Sequence, residues 1–60
     1  MDTTQVQRYA RQLYEVQGAK AIAEAAQKAL QFEHNNDPEQ AEIWRRIEAA
    51  LILINGPRHS

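Results

Sequence analysis

The chain has no cysteine, which excludes a disulfide framework and thiolate metal ligands. It has only two glycines and two prolines, so most of it is free of helix breakers. Seven Lys and Arg face eight Asp and Glu, and the net charge of −1 predicts no broad attraction to nucleic acid or an anionic membrane. No apolar run approaches the ~20 residues of a membrane span, and the first ten residues lack a signal-peptide pattern. We therefore expect a soluble, cytoplasmic protein.

What the chain does have is a large share of helix-forming residues. Ala, Gln, Glu, Arg and Leu are abundant, whereas β-branched residues are scattered. A chain of 60 residues forms one small domain whose stability margin is thin. Such domains depend on well-packed helices or on oligomerisation when no disulfide or metal is present. The composition predicts an all-α fold in a single domain, residues 1–60.

The segment from residue 37 to residue 57 carries the clearest helix signals. Asp37 is a good N-cap, Pro38 suits the first helical position, and Gln40 completes a capping box. Gly56 and the proline after it form a stop signal. Trp44, the only tryptophan, lies on the apolar stripe between these signals. We expect a helix over residues 38–54 and a frayed tail over 57–60.

Two further apolar stripes lie on either side of Gly18. The first is centred on Tyr9 and Leu13 and extends to Val16, and the second includes Ile22 and Leu30. On one straight helix the two stripes would be rotated by on the order of 130°, so a break near Gly18 would bring both to one core. This predicts helices over 3–17 and 19–34 and a three-helix antiparallel bundle. The alternative is a long two-helix hairpin that dimerises into a four-helix bundle. The predicted core residues are Tyr9, Leu13, Ile22, Leu30, Trp44, Ile47, Leu51 and Ile54.

Catalytic and metal-binding patterns are missing from the sequence. The only hydroxyl residues besides the tyrosines are Thr3, Thr4 and Ser60, and no nucleophile–base pair or carboxylate dyad is recognisable. His34 precedes two asparagines and an aspartate, but the spacing of a calcium loop is absent. We therefore expect no enzyme activity, no cofactor and no metal.

The run Leu51–Ile54 is more apolar than one core-facing stripe requires. Ile52 and Leu53 project away from that stripe, and Phe32 lies off the second stripe. We predict that Phe32, Ile52 and Leu53 form a homodimer patch, which makes the protein a self-associating interaction module. The alternative function is nucleic-acid binding. Its candidate residues are Arg8, Arg45 and Arg46, but intrahelical pairs such as Glu42–Arg46 explain the arginines of residues 38–54 without any nucleic acid.

Part of the chain resembles known helical proteins. The stretch EAAQKALQFEHNNDPEQAEIW, residues 24–44, resembles the junction between two tetratricopeptide repeats, and Leu13-Tyr14 before Gly18 is similar to the first helix of such a repeat. The match departs from the period of about 34 residues, and a second full repeat is missing. Tyr9–Glu15 and Ala41–Ile47 also resemble segments of short bacterial proteins of unknown function. These resemblances imply paired helices and no particular activity.

Overall fold

A computed structural model describes residues 2–56, and these residues form three helices. They are α1 (Thr3–Gln17), α2 (Lys20–His34) and α3 (Pro38–Asn55). The predicted all-α three-helix bundle is confirmed, and each predicted boundary lies within one residue of the observed one. The predicted tail, residues 57–60, lies outside the described residues.

Side-chain caps begin α1 and α3, and the cap of α3 is the one that the sequence predicted. The carboxylate of Asp2 accepts a hydrogen bond from the backbone N–H of Gln5 at 2.9 Å. The carboxylate of Asp37 accepts one from the N–H of Gln40 at 3.3 Å, with Pro38 in the first turn. These bonds pair backbone donors that a helix start leaves without intrahelical partners.

The helix α2 begins without such a cap. Its N-cap is Ala19, which has no side chain able to accept a hydrogen bond, and the first turn contains no acidic residue. The chain reverses here because Gly18 adopts φ 65° and ψ −145°, a conformation available almost only to glycine. The reversal predicted near Gly18 is therefore confirmed.

The core is built around small residues. Ala21, Ala25 and Ala29 line the buried side of α2, and α3 packs closely along α2. Among the described residues, Ile47 and Leu51 are the only large side chains that are fully buried. The helix α1 packs mainly on α3 and touches α2 only slightly. Alanines allow this close approach of helices, but they bury little apolar area.

The eight predicted core residues differ in how far they are buried. Ile47 and Leu51 are buried, and Leu13, Ile22, Trp44 and Ile54 are partly buried against the core. Tyr9 is 38% exposed at the core edge.

Leu30 is 55% exposed, so its placement in the core is wrong. The buried face of α2 is centred on Ala25, and a residue five positions later is rotated by about 140° around a helix.

Candidate interaction surface

One end of the bundle brings parts of all three helices together. The hydroxyl of Tyr14 in α1 donates a hydrogen bond to Oδ1 of Asn55 in α3 at 2.8 Å. Gly18 and Ala19 follow α1 directly, and α2 begins beside them. We call this end, which contains residues 14–22 and 51–56, the turn end.

The turn end carries the most exposed aliphatic side chains of the described chain. Val16 is 82% exposed on the last turn of α1, and Leu53 is 78% exposed near the end of α3. Ile52, beside Leu53, is 50% exposed. The positions lie within about two helical turns of the bundle end, on different sides of it. Solvent therefore contacts large apolar side chains of both α1 and α3 at the turn end.

Leu53 also borders a shallow groove between α1 and α3. The groove is lined by Thr3, Val6, Gln7, Arg46, Ala49, Ala50 and Leu53. A neighbouring depression shares Gln7, Ala50 and Leu53, so the groove continues along the seam between the two helices. Two of its lining residues are alanines, and the Leu53 side chain at its border is largely exposed.

The predicted patch of Phe32, Ile52 and Leu53 is not one surface. Phe32 is half-buried near the end of α2, next to the loop that leads to Pro38. Ile52 lies fourteen residues beyond Pro38 in α3, a distance of about 21 Å along a helix. Phe32 is therefore separated from the other two residues by most of the length of α3.

Val16 is the turn-end residue that sequence reasoning assigned elsewhere. Its spacing from Leu13 suggested the apolar stripe, yet Val6 and Ala10 define the buried side of α1. Val16 is rotated by about 80–120° from those two residues. A helical projection centred on Val6 and Ala10 would have identified it as exposed.

Trp44 connects the three helices through its ring. The ring of Tyr9 packs against it edge-on, with centroids 5.9 Å apart and planes at 74°. Nζ of Lys28 lies 5.7 Å from the Trp44 ring centroid, within reach of a cation–π interaction. Since α1 supplies Tyr9, α2 supplies Lys28 and α3 supplies Trp44 itself, these contacts explain Trp44 as a packing residue.

The arginines of α3 have acidic partners. Arg45 lies 3.2 Å from Glu48 and 3.7 Å from Glu33, and Arg46 lies 2.9 Å from Glu42. Exposed pairs of this kind contribute little to stability, but they balance the positive charge locally. The surface around Arg45 and Arg46 is therefore mixed in sign, and Arg8, the third predicted nucleic-acid contact, belongs to α1.

Other types of site receive no geometric support. Residues 2–56 contain no group of three or more His, Cys, Asp or Glu that could hold a metal ion. None of the helices within this part of the chain has the length and apolarity to cross a bilayer.

No protein-family model matches the chain, and no curated protein or solved structure is significantly similar to it. The resemblance to tetratricopeptide helices thus stays a prediction.

The bond between Tyr14 and Asn55 gives a first testable prediction. The ring of Tyr14 is half-buried against the core, and its hydroxyl is paired. We expect Tyr14→Phe to lower the free energy of unfolding by ~0.5–1.5 kcal/mol, because Asn55 loses its donor. The measurement is urea unfolding followed by circular dichroism.

Tyr9→Phe is the matched control for this measurement. The Tyr9 hydroxyl makes no hydrogen bond to another described side chain, so we expect a change below about 0.5 kcal/mol. Equal losses in the two variants would show that the bond to Asn55 contributes nothing specific.

Proposed function

We propose that this chain is a small, non-enzymatic helical interaction module that self-associates through its turn end. The supporting observation is the distribution of large aliphatic residues. Within residues 2–56, two of them, Ile47 and Leu51, are fully buried, while Val16, Ile52 and Leu53 are at least half exposed at one end. A surface of this kind is typical of a protein–protein contact.

The energetics favour association of such a small bundle. Burying one large aliphatic side chain contributes ~1.5–3 kcal/mol, and a symmetric contact buries each residue twice. A stable dimer needs about 800 Å² from each partner. The accessible surface of the chain is 4626 Å², so this requirement corresponds to roughly a sixth of it. The three turn-end residues would form the apolar centre of that area.

Self-association is better supported than nucleic-acid binding. Arg45 and Arg46 face carboxylates within 4 Å, so a phosphate would have to compete with Glu33, Glu42 and Glu48. The turn end offers a different kind of contact, because its large exposed side chains, Val16, Ile52 and Leu53, are aliphatic. The aliphatic turn end therefore suits contact with another protein surface. The arginines of α3, which alternate with carboxylates, do not form a uniform basic face for nucleic acid.

The test is the mass of the chain in solution as a function of concentration, measured by analytical ultracentrifugation. We expect a reversible dimer at high micromolar concentration. Leu53→Glu should weaken dimerisation by about tenfold or more, because a carboxylate would be desolvated at the contact.

Leu30→Glu is the control, since Leu30 is also an exposed leucine but lies outside the turn end. It should leave the dimer unchanged. A wild-type chain that stays monomeric, or equal losses in the two variants, would contradict the proposal.

A further inference from the structure

We propose that two copies associate by exchanging α1, so that each three-helix unit is completed by the first helix of its partner. This inference rests on the proposed function, because it describes how self-association occurs. Four observations on the turn between α1 and α2 carry it: its length, its lack of a cap, its dependence on glycine, and the weak contact between the two helices it joins.

The connection between α1 and α2 is short, and α2 begins in it without a side-chain cap. Only Gly18 and Ala19 separate the two helices. The first N–H groups of α2 receive no side-chain cap, and the turn closes through two short-range bonds, Ala21 N–H to Gly18 O at 3.0 Å and Ile22 N–H to Ala19 O at 3.1 Å. If the turn opened into a continuous helix, the N–H of Ala21 could pair with the carbonyl of Gln17 and the N–H of Ile22 with that of Gly18.

The contacts made by α1 are suited to exchange. α1 packs mainly on α3 and only slightly on α2, its neighbour in sequence. Val6 and Ala10 join the core beside Ile47 and Leu51, and Tyr14 bonds to Asn55. Most contacts of α1 are to α3, and its few contacts to α2 belong to the same core, so α1 of a second copy can reproduce both sets. The favourable contacts of the closed bundle are thus retained, while opening the turn releases the constrained backbone.

The exposed residues of the turn end fit this arrangement. Two copies that exchange α1 must approach each other where the turn opens, which is at Gly18. Val16, Ile52 and Leu53 lie around that point and are uncovered in the single chain. The second copy would therefore cover the apolar side chains that the isolated bundle leaves in water.

The buried faces of α1 and α2 are also compatible with an opened turn. The midpoint between Val6 and Ala10 and the central residue Ala25 differ by on the order of 80° on a continuous helix. The half-buried Gln17 lies on the same side of α1 as Val6 and Ala10, so this face extends to the end of the helix. A continuous helix could thus present α1 to one α3 and α2 to another.

Two substitutions at the turn should shift dimerisation in opposite directions. Gly18→Ala removes the residue that tolerates φ 65° and should strengthen association on the order of tenfold per turn. Ala19→Pro should weaken association by a similar factor. The closed turn accepts proline because Ala19 already has φ −63° and its N–H donates no backbone bond. The continuous helix of the exchanged dimer does not, because proline would interrupt it. Weaker association of Gly18→Ala, or no response to either substitution, would overturn the exchange.

Cross-linking then distinguishes exchange from a side-by-side dimer. The chain has no cysteine, so Gln7→Cys with Ala49→Cys places one thiol on α1 and one on α3 of the same groove. Treatment with a short bismaleimide at the dimer concentration should give a covalent dimer on a denaturing gel. The control pair, Glu33→Cys with Arg45→Cys, joins α2 to α3 and should stay within one chain.

The outcomes separate the two proposals. If the wild-type chain is dimeric but Gln7→Cys/Ala49→Cys cross-links only within one chain, exchange is overturned and self-association stands. If the wild-type chain is monomeric at high micromolar concentration, both fail. Circular dichroism of each variant checks that the helices are still formed.

Discussion

Replacing Leu51 with alanine is expected to remove a large share of the protein's free energy of unfolding. Leu51 is fully buried and belongs to the cluster that joins all three helices. Truncating a buried leucine costs ~2–5 kcal/mol, because apolar contacts are lost and a cavity remains. A domain of 60 residues has a total stability of roughly 3–9 kcal/mol by the usual value per residue. The measurement is urea unfolding followed by circular dichroism and tryptophan fluorescence.

Leu53→Ala is the matched control, because it makes the same change two residues later in α3. Leu53 is largely exposed, so the expected loss for the single chain is within about 0.5 kcal/mol. Both variants should be compared at a concentration below that of dimerisation, since Leu53 is also a proposed contact. Similar losses for the two leucines would mean that the core is not organised around Leu51.

The helix boundaries could be predicted because their signals are local. Asp37 and Pro38 determine the start of α3 through one capping bond and one preset dihedral angle, and Gly56 ends it. At Gly18, a single residue that tolerates positive φ is enough to reverse the chain. Such features depend on neighbours within four residues, so they can be recognised in the sequence.

The position of the reversal at Gly18 was predicted correctly, but the predicted angle between the apolar faces of α1 and α2 was wrong. The predicted stripes differed by on the order of 130°, whereas the residues buried in α1 and α2 differ by on the order of 80°. The difference arises because the predicted stripes were centred on large residues in both helices, whereas Val6 and Ala10 are buried in α1 and three alanines are buried in α2. The glycine conformation and the missing cap of α2, more than a mismatch of faces, define the turn.

The side of α2 that faces the core could not be identified from size alone. Hydrophobic side chains favour burial, which made Leu30 a better candidate than an alanine. The structure buries Ala21, Ala25 and Ala29 instead, because α3 approaches α2 closely along this face. Close approach depends on the pairing of two helices, and that pairing cannot be seen in either helix separately.

Only part of the candidate surface could be predicted, because its remaining residues depend on how the helices are paired. Ile52 and Leu53 follow the buried Leu51 directly, so their exposure could be inferred from helical geometry. Whether Phe32 or Val16 accompanies them depends on which ends of the helices meet. That arrangement follows from the two chain reversals and from the bond between Tyr14 and Asn55.

Ala25→Leu is expected to destabilise the bundle, even though leucine is the better hydrophobic residue. Ala25 is fully buried and lies in the cluster with Val6, Ile47 and Leu51. Extra methyl groups in a packed interior force neighbouring helices apart, at a cost of about 1–3 kcal/mol. The free energy of urea unfolding should fall by that amount. Ala23→Leu makes the same change at an exposed position of α2 and should stay within about 0.5 kcal/mol of the wild type. If Ala25→Leu were as stable as Ala23→Leu, the space between α2 and its neighbours would be large enough for a leucine, and close packing of the alanine face could not explain why Leu30 is left outside.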